Sequence, residues 1–390
     1  MAGAAAALAL AICLAWSALL GWEDYLARGQ TREAIGHAIR LVPGDARNYT
    51  ALASLGGASR TPALERAVAI NPFDSMSWVE LGLDMEMRGN HARAERCLLQ
   101  AARVDKTYAP RWALANFYFR ADNPREFWPW LREAARMSYG DARPLAGLAW
   151  NLAEDAPEGL DALGGRAPVL AAYASLLLDK GRTRPAEAAA NRLIERGGRE
   201  ALGWLLVDCD RFLEAGQPGA ALRLWNRMAE AKLIAVPKLN PERGPWLTNA
   251  DFASEPLSRG FDWRMQRVTG VESVRLPGTD GLRIRFSGEQ PEDCMLLLQR
   301  FPVAPGRSWR LIFEYRTAGT SPRTGLRWRT LGAEWQAPAS ETWREAAFQF
   351  KAPPAASVLP LVLAYARMPG TVRMAGSFWL RRVRLEPAGQ

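Results

Sequence analysis

Two tryptophans 34 positions apart, Trp78 and Trp112, constrain what the first part of this 390-residue chain can become. Each stands near the start of a helix-spaced stretch. Around the first, the order runs Trp78, Leu81-Gly82, Met85, Gly89, Ala94, Leu98, Ala101. Self-similarity at such a period marks stacked helical units, none of which can bury its apolar face alone. Small residues such as Gly82, Ala94 and Ala101 let two helices approach, and the aromatics fill the wedge between successive pairs. Pro43, Pro72 and Lys106 hold equivalent ends, each followed six residues later by an aromatic: Tyr49, Trp78 and Trp112. The stretch 32–41 reads as the second helix of a leading pair. The pattern fades over 142–163, then returns at 169–194 and 202–228, with Gly181 and Gly216 in the interhelical turns. Five or six helix pairs are expected over 23–235.

The spacing Trp-x2-Leu-Gly, then a small residue, then Ala-x3-Leu-x2-Ala, resembles the tetratricopeptide repeat. That resemblance implies an α-solenoid whose concave surface holds a protein partner rather than a reaction centre. It assigns Trp78, Gly82, Ala94, Ala101, Trp112, Gly181 and Gly216 to repeat packing. Trp128-Pro129-Trp130, two indoles flanking a proline near a helix start, is the one aromatic group that suggests a cap over the groove.

From Ala2 to Trp22 the chain carries no charge. About 20 apolar residues span a bilayer core as a helix. An uncleaved membrane anchor over 1–22 is the first reading, and a signal segment cleaved after Ser17 is the second. The basic residues that normally precede such a segment are missing, which points to a start upstream of Met1. Arg28 and Arg32 follow the span, so the positive-inside rule favours a cytoplasmic bulk. The C-terminal region argues for the opposite side.

Composition narrows the chemistry. The chain has two histidines, His37 and His91, in different repeats, which removes Ser-His-Asp hydrolysis and histidine-ligated zinc. Cys13, Cys97, Cys209 and Cys294 show no ligand spacing and read as small buried hydrophobes, with no disulfide or metal implied. The net charge is +9, and residues 247–390, with 20 Lys+Arg against 13 Asp+Glu, supply most of it. Such a balance favours acidic partners. No nucleic-acid motif accompanies it, so nucleic acid is not an expected partner.

Residues 236–246, VPKLNPERGPW, read as a linker. Beyond it, alternation replaces helical spacing, as in Leu282-Arg283-Ile284-Arg285-Phe286 and Trp309–Tyr315. Further strands are expected near 260–268, 295–303, 325–331, 343–350, 359–366 and 378–385. Eight to ten short strands separated by Pro/Gly turns indicate an antiparallel β-sandwich of jelly-roll type. Three segments carry a resemblance to carbohydrate-binding-module-like sandwiches across 247–387. They are Asn249-Ala250-Asp251-Phe252, Val303-Ala304-Pro305-Gly306-Arg307-Ser308-Trp309, and Ser377–Leu385. Arg381 and Arg382 stand where that family usually carries an aspartate, which argues against its calcium site. The resemblance implies glycan binding and envelope or exopolysaccharide biology in a bacterium.

Trp328, Trp335 and Trp343, with Gln336, Arg344, Arg327 and Arg329 beside them, are the glycan-binding candidates: indole faces stack on sugar rings while side-chain donors meet hydroxyls. Arg283, Arg285, Arg310, Arg316, Arg327, Arg329, Arg382 and Arg384 alternate along strands and suggest one basic face for an acidic polysaccharide. Asp280, Glu289, Glu292, Asp293 and Glu314 show no paired spacing of the kind glycoside hydrolysis needs. The expected protein is a non-catalytic, membrane-anchored scaffold. A pure protein-protein scaffold whose sandwich meets no sugar is the alternative, and a glycan-processing enzyme with unrecognised carboxylates the second.

Overall fold

The structure, a computed structural model, describes all residues except 1, 30, 155, 279, 280, 389 and 390, and omits the side chains of 2–4. The chain forms two compact units, 1–165 and 166–390.

The first unit is helical: α1 (Ala2–Ala27), α2 (Arg32–Leu41), α3 (Ala46–Ser54), α4 (Arg60–Ile70), α5 (Ser75–Met87), α6 (His91–Val104), α7 (Tyr108–Arg120), α8 (Pro124–Met137), α9 (Arg143–Ala153) and α10 (Pro157–Leu163). Short polar side chains start many of these helices. Thr31, Asp45, Asp74, Asn90 and Asn123 each accept a backbone N–H from the first turn, which satisfies a donor the helix itself cannot. Gly89, at φ +77°, closes the α5–α6 turn in a conformation that other residues resist.

The proline-to-aromatic spacing has a direct cause. Tyr49 Oη donates to the Pro43 carbonyl at 3.3 Å, and Trp78 Nε1 donates to the Pro72 carbonyl at 2.9 Å. Each ring thereby ties the loop before its helix. At α7 the same link comes from Arg111, which donates to the Asp105 carbonyl at 3.1 Å, while Trp112 stacks on Tyr108. Where the sequence pattern fades, two helices still form, although α10 has only 7 residues. Pro129 lies inside α8 and is exposed, and Trp128, half-buried, packs edge-on against Phe127.

The second unit begins with α11 (Ala167–Asp179), α12 (Thr183–Gly197), a 3₁₀ turn at 198–201, α13 (Leu202–Glu214) and α14 (Pro218–Glu230). Gly181 and Gly216 take positive φ in the two turns, at +69° and +68°. The segment 236–246 contains neither helix nor strand, yet it is not a free tether. Asn226 holds the Leu239 backbone through both its amide atoms, and Trp246 packs edge-on against Trp309. Proline excluded regular hydrogen bonding there without preventing packing.

Two five-stranded antiparallel sheets follow, in the orders β1-β4-β9-β6-β7 and β2-β3-β10-β5-β8. Their strands are β1 (Arg264–Met265), β2 (Val271–Arg275), β3 (Leu282–Ser287), β4 (Asp293–Pro302), β5 (Ser308–Ala318), β6 (Arg323–Thr330), β7 (Ala333–Pro338), β8 (Arg344–Lys351), β9 (Val358–Ala366) and β10 (Ala375–Pro387). Alternation along the strands sends Leu282, Ile284, Phe286, Leu311, Phe313, Phe378 and Leu380 into one core between the sheets. The expected strand at 260–268 shrinks to two residues, and β2 and β7 are additional to those expected.

Gly82 tests the close-approach argument. A Cβ there would lie 2.7 Å from Leu98 Cγ and 3.2 Å from the Ala94 carbonyl, and Leu98 is fully buried. Gly82→Val should therefore destabilise the first unit by about 1–3 kcal/mol, with Gly82→Ala costing less. Thermal unfolding followed by circular dichroism checks the order; equal midpoints for all three proteins would refute it.

Candidate functional surfaces

Three places combine exposed chemistry with defined geometry. In the first unit, α1 is apolar and exposed over most of its length, but its last turns enter the helical array. Glu23 is 2% exposed and Asn48 on α3 is 1% exposed, and Glu23 Oε2 and Asn48 Nδ2 lack partners. They line a pocket of about 480 Å³ with Arg28, Arg47 and Leu55. The end of α1 thus serves as the first member of the pair completed by α2. Trp22 and Tyr25 stack at 5.5 Å on the exposed side of that end. Cys13 is exposed on the same helix and Cys294 is half-buried, so only Cys97 and Cys209 are the buried thiols the sequence suggested.

A second pocket, of about 660 Å³, lies between α4 and α6 over α5. Val68, Trp78, Leu81 and Leu99 give it apolar walls, and Arg96 and Arg103 stand at its edge. Arg93, also there, is neutralised by Glu65. Neither Arg96 nor Arg103 forms an ion pair among the described residues. The pocket therefore offers an apolar seat beside two uncompensated cations.

In the second unit, the tryptophans proposed from sequence as a sugar platform do not form one. Trp328 on β6 is fully buried in the sandwich core, 5.6 Å from the Phe313 ring, out of reach of any ligand. Trp335 lies directly across from it on β7 and also faces inward, edge-on to Phe313 and Tyr315. The reason is register: β7 pairs with β6, so this segment is an inward-facing hairpin. Gln336 and Arg344 are exposed. Arg327 and Arg329 are half-buried and both bind Glu334, with Arg329 also reaching Asp293.

The expected single basic face is split as well. Arg327 and Arg329 lie on β6, in one sheet; the other six arginines lie on β3, β5 and β10, in the other. On that second sheet's outer side, Trp343 joins a tryptophan the sequence reading passed over, Trp379. The signal for it was plain alternation: Phe378 and Leu380 point inward, so Trp379 points out. The Arg316 guanidinium carbon lies 4.3 Å from the Trp379 ring centre and 5.4 Å from that of Trp343. Arg381 covers Trp343 at 3.8 Å. A bulge between Arg381 and Arg384, with Arg382 at φ +50°, turns both Arg381 and Arg382 toward Glu314, each at 2.7 Å. Burial raises the Glu314 pKa, but hydrogen bonds and charge from those two arginines outweigh it and leave the carboxyl below its usual range.

The helices and the sandwich of this unit meet at Asp210, which is 3% exposed. Its carboxylate accepts the Gly260 backbone N–H at 2.7 Å and pairs with Arg264 and Arg259. Gly260 lies against Trp225, and no side chain fits between them: a Cβ there would sit 2.5 Å from the ring. No group of three or more His, Cys, Asp or Glu arranged to hold a metal occurs among the described residues.

No protein-family model matches this sequence, and no curated protein sequence matches it. Among solved structures, one described as "CBM4 structure and function" is similar over 36% of this chain and 98% of its own, at 12% identity and a TM-score of 0.28. YrrB, described as a TPR protein with an unusual peptide-binding site, is similar over 52% of this chain and 94% of its own, at 14% identity and a TM-score of 0.27. Yeast Tom70 is similar over 52% of this chain and 46% of its own, at 16% identity and a TM-score of 0.29. The chain's own element order shows helix pairs followed by a C-terminal antiparallel sandwich.

Asp208, beside the joint on α13, gives a pH prediction. Burial pushes its pKa up from 3.8 to about 7, against the attraction of Arg211. The folded chain then holds this proton more tightly than the unfolded chain. This contribution to stability is therefore greatest below pH 3.8, falls as pH rises toward about 7, and is constant above. Asp208→Asn should raise the unfolding midpoint at about pH 7.5 and leave it nearly unchanged at about pH 4. An equal shift at both pH values would contradict the assignment.

Proposed function

We propose that this protein is a non-catalytic, membrane-anchored scaffold of the bacterial cell envelope. Its helical array binds a protein partner, and its sandwich binds or positions a glycan during envelope or exopolysaccharide assembly. One observation carries the reading: an apolar helix, 23 residues of it long and hydrophobic enough to cross a bilayer, ends as the first helix of the array. A chain built this way holds its binding surface at a fixed distance from the membrane. Export of the bulk follows from the sandwich resemblance over 247–387, against the weak positive-inside signal of Arg28 and Arg32.

The non-catalytic reading is supported by the state of the carboxylates named from sequence. Glu314, Glu292 and Asp293 are each engaged by arginine, Glu289 is exposed, and Asp280 lies outside the described residues. The pure protein-protein scaffold remains a second reading, because the inward turn of Trp328 and Trp335 removes the sugar platform expected from sequence. The pocket over α5 suits an acidic segment bearing one apolar anchor.

The test uses cells producing the full chain with a C-terminal tag. The chain should resist extraction by alkaline carbonate, and protease added to intact spheroplasts should remove the tag. A tag digested only after lysis would place the bulk in the cytoplasm and end the envelope reading. Once a partner is identified, Arg96→Glu with Arg103→Glu should weaken its binding about tenfold or more, mainly through a slower association rate. Unchanged affinity would remove the pocket from the account.

A further inference from the structure

We propose that the outer face of the β2-β3-β10-β5-β8 sheet is the glycan site of this protein, and that its ligand is an acidic polysaccharide bearing carboxylates at regular intervals. This deepens the glycan-binding reading above and rests on it. In register, Trp379 lies between Arg283 on β3 and Arg316 on β5, and Trp343 precedes β8 at the next position across. The row therefore runs Arg283, Trp379, Arg316, Trp343, perpendicular to the strands. Its members are spaced by the interstrand distance of about 4.8 Å, comparable to the length of one pyranose unit.

Neither arginine in this row is neutralised, and Arg316 is held in place as well. A surface arginine is ordinarily steadied by a carboxylate. Of the acids on this face, Glu314 is bound by Arg381 and Arg382 and Glu345 by Arg384, while Glu272 across from Arg285 and Glu386 across from Arg310 form no ion pair among the described residues. Arg316 is steadied by indole faces instead, and neither Arg283 nor Arg316 has an ion pair among the described residues. Both Nε atoms are buried without a hydrogen-bond partner. An indole fixes the guanidinium plane but uses none of its N–H donors. The result is a pair of uncompensated guanidinium groups about two strands apart, that of Arg316 oriented by indole, whose terminal N–H donors suit carboxylates about two sugar units apart.

The surroundings favour a polysaccharide over other anionic ligands. Among the described residues, the exposed large hydrophobics of the sandwich are Met295, Leu331 and Val372, and none of them is in this row, which gives an acyl chain no apolar surface of that kind there. A flat, open row repeating at sugar spacing suits an extended polymer.

The experiment uses the full chain in detergent micelles and biolayer interferometry against immobilised polygalacturonate and dextran, with phosphatidylglycerol vesicles as a third surface. Polygalacturonate should bind, dextran should not, and added salt should weaken the complex. Arg283→Gln with Arg316→Gln should lose about tenfold in affinity while keeping the parent's circular dichroism and unfolding midpoint. Arg316→Lys, with the charge but not the fork, should fall between them, and Arg323→Gln on β6 of the opposite sheet should bind as the parent does. Equal binding of dextran, unaffected by the double variant, would overturn the acidic-polymer assignment and leave glycan binding standing. Polygalacturonate binding that survives the double variant would overturn the location. Binding to vesicles alone, lost in the double variant, would assign the face to lipid headgroups and overturn the proposal. No binding to either polymer would refute both this proposal and the glycan-binding reading.

Discussion

One buried carboxylate organises the second unit. Asp210 on α13 accepts from the Gly260 backbone and from two arginines of the segment entering the sandwich. A charge taken out of water is costly unless it is paired and hydrogen-bonded, and here all its partners come from the other side of the helix-sheet joint. The joint is also filled: Trp225 packs edge-on against Phe261, and Gly260 has no room for a side chain. The directional bonds fix the orientation, and the apolar contact supplies the burial. This is why α11–α14 belong with the sandwich as one compact body, although their sequence continues the helical pattern of the first unit.

That division shows where sequence reading reached and where it stopped. Helix pairs were legible because Gly82, Ala94 and Ala101 recur at the spacing close packing demands, and strands because alternation sorts inward from outward residues. The body boundary was not, since it depends on contacts between Asp210 and residues about 50 positions later. Nothing in the spacing of the helices marks which of them carry a sheet on one flank. The 236–246 segment misled for a related reason. Proline and glycine report missing regular hydrogen bonds, whereas Asn226 and Trp309, which hold that segment, are distant in sequence.

The sandwich offers a similar lesson at finer scale. Trp328, Trp335 and Trp343 are near one another in the chain, which made them look like one platform. The β6–β7 pairing turns the first two into the core and leaves the third outside. Trp379, 36 positions beyond Trp343, is its actual companion, because β5 and β10 pair and Arg316 bridges the two indoles. The parity of β10 was readable. The strand order that brings β10 between β3 and β5 was not.

The packing of Glu23 against α2 and α3 has a mechanical consequence. A flexible tether would let a protein's outer part reorient freely whatever its anchor does. Here the helix that would cross the bilayer is also a wall of the first hairpin, with no hinge among the described residues between them. A hydrophobic helix longer or shorter than the bilayer core adjusts by tilting. In this chain any such tilt would rotate the first unit as a rigid lever, so membrane thickness would set the angle at which its groove is presented.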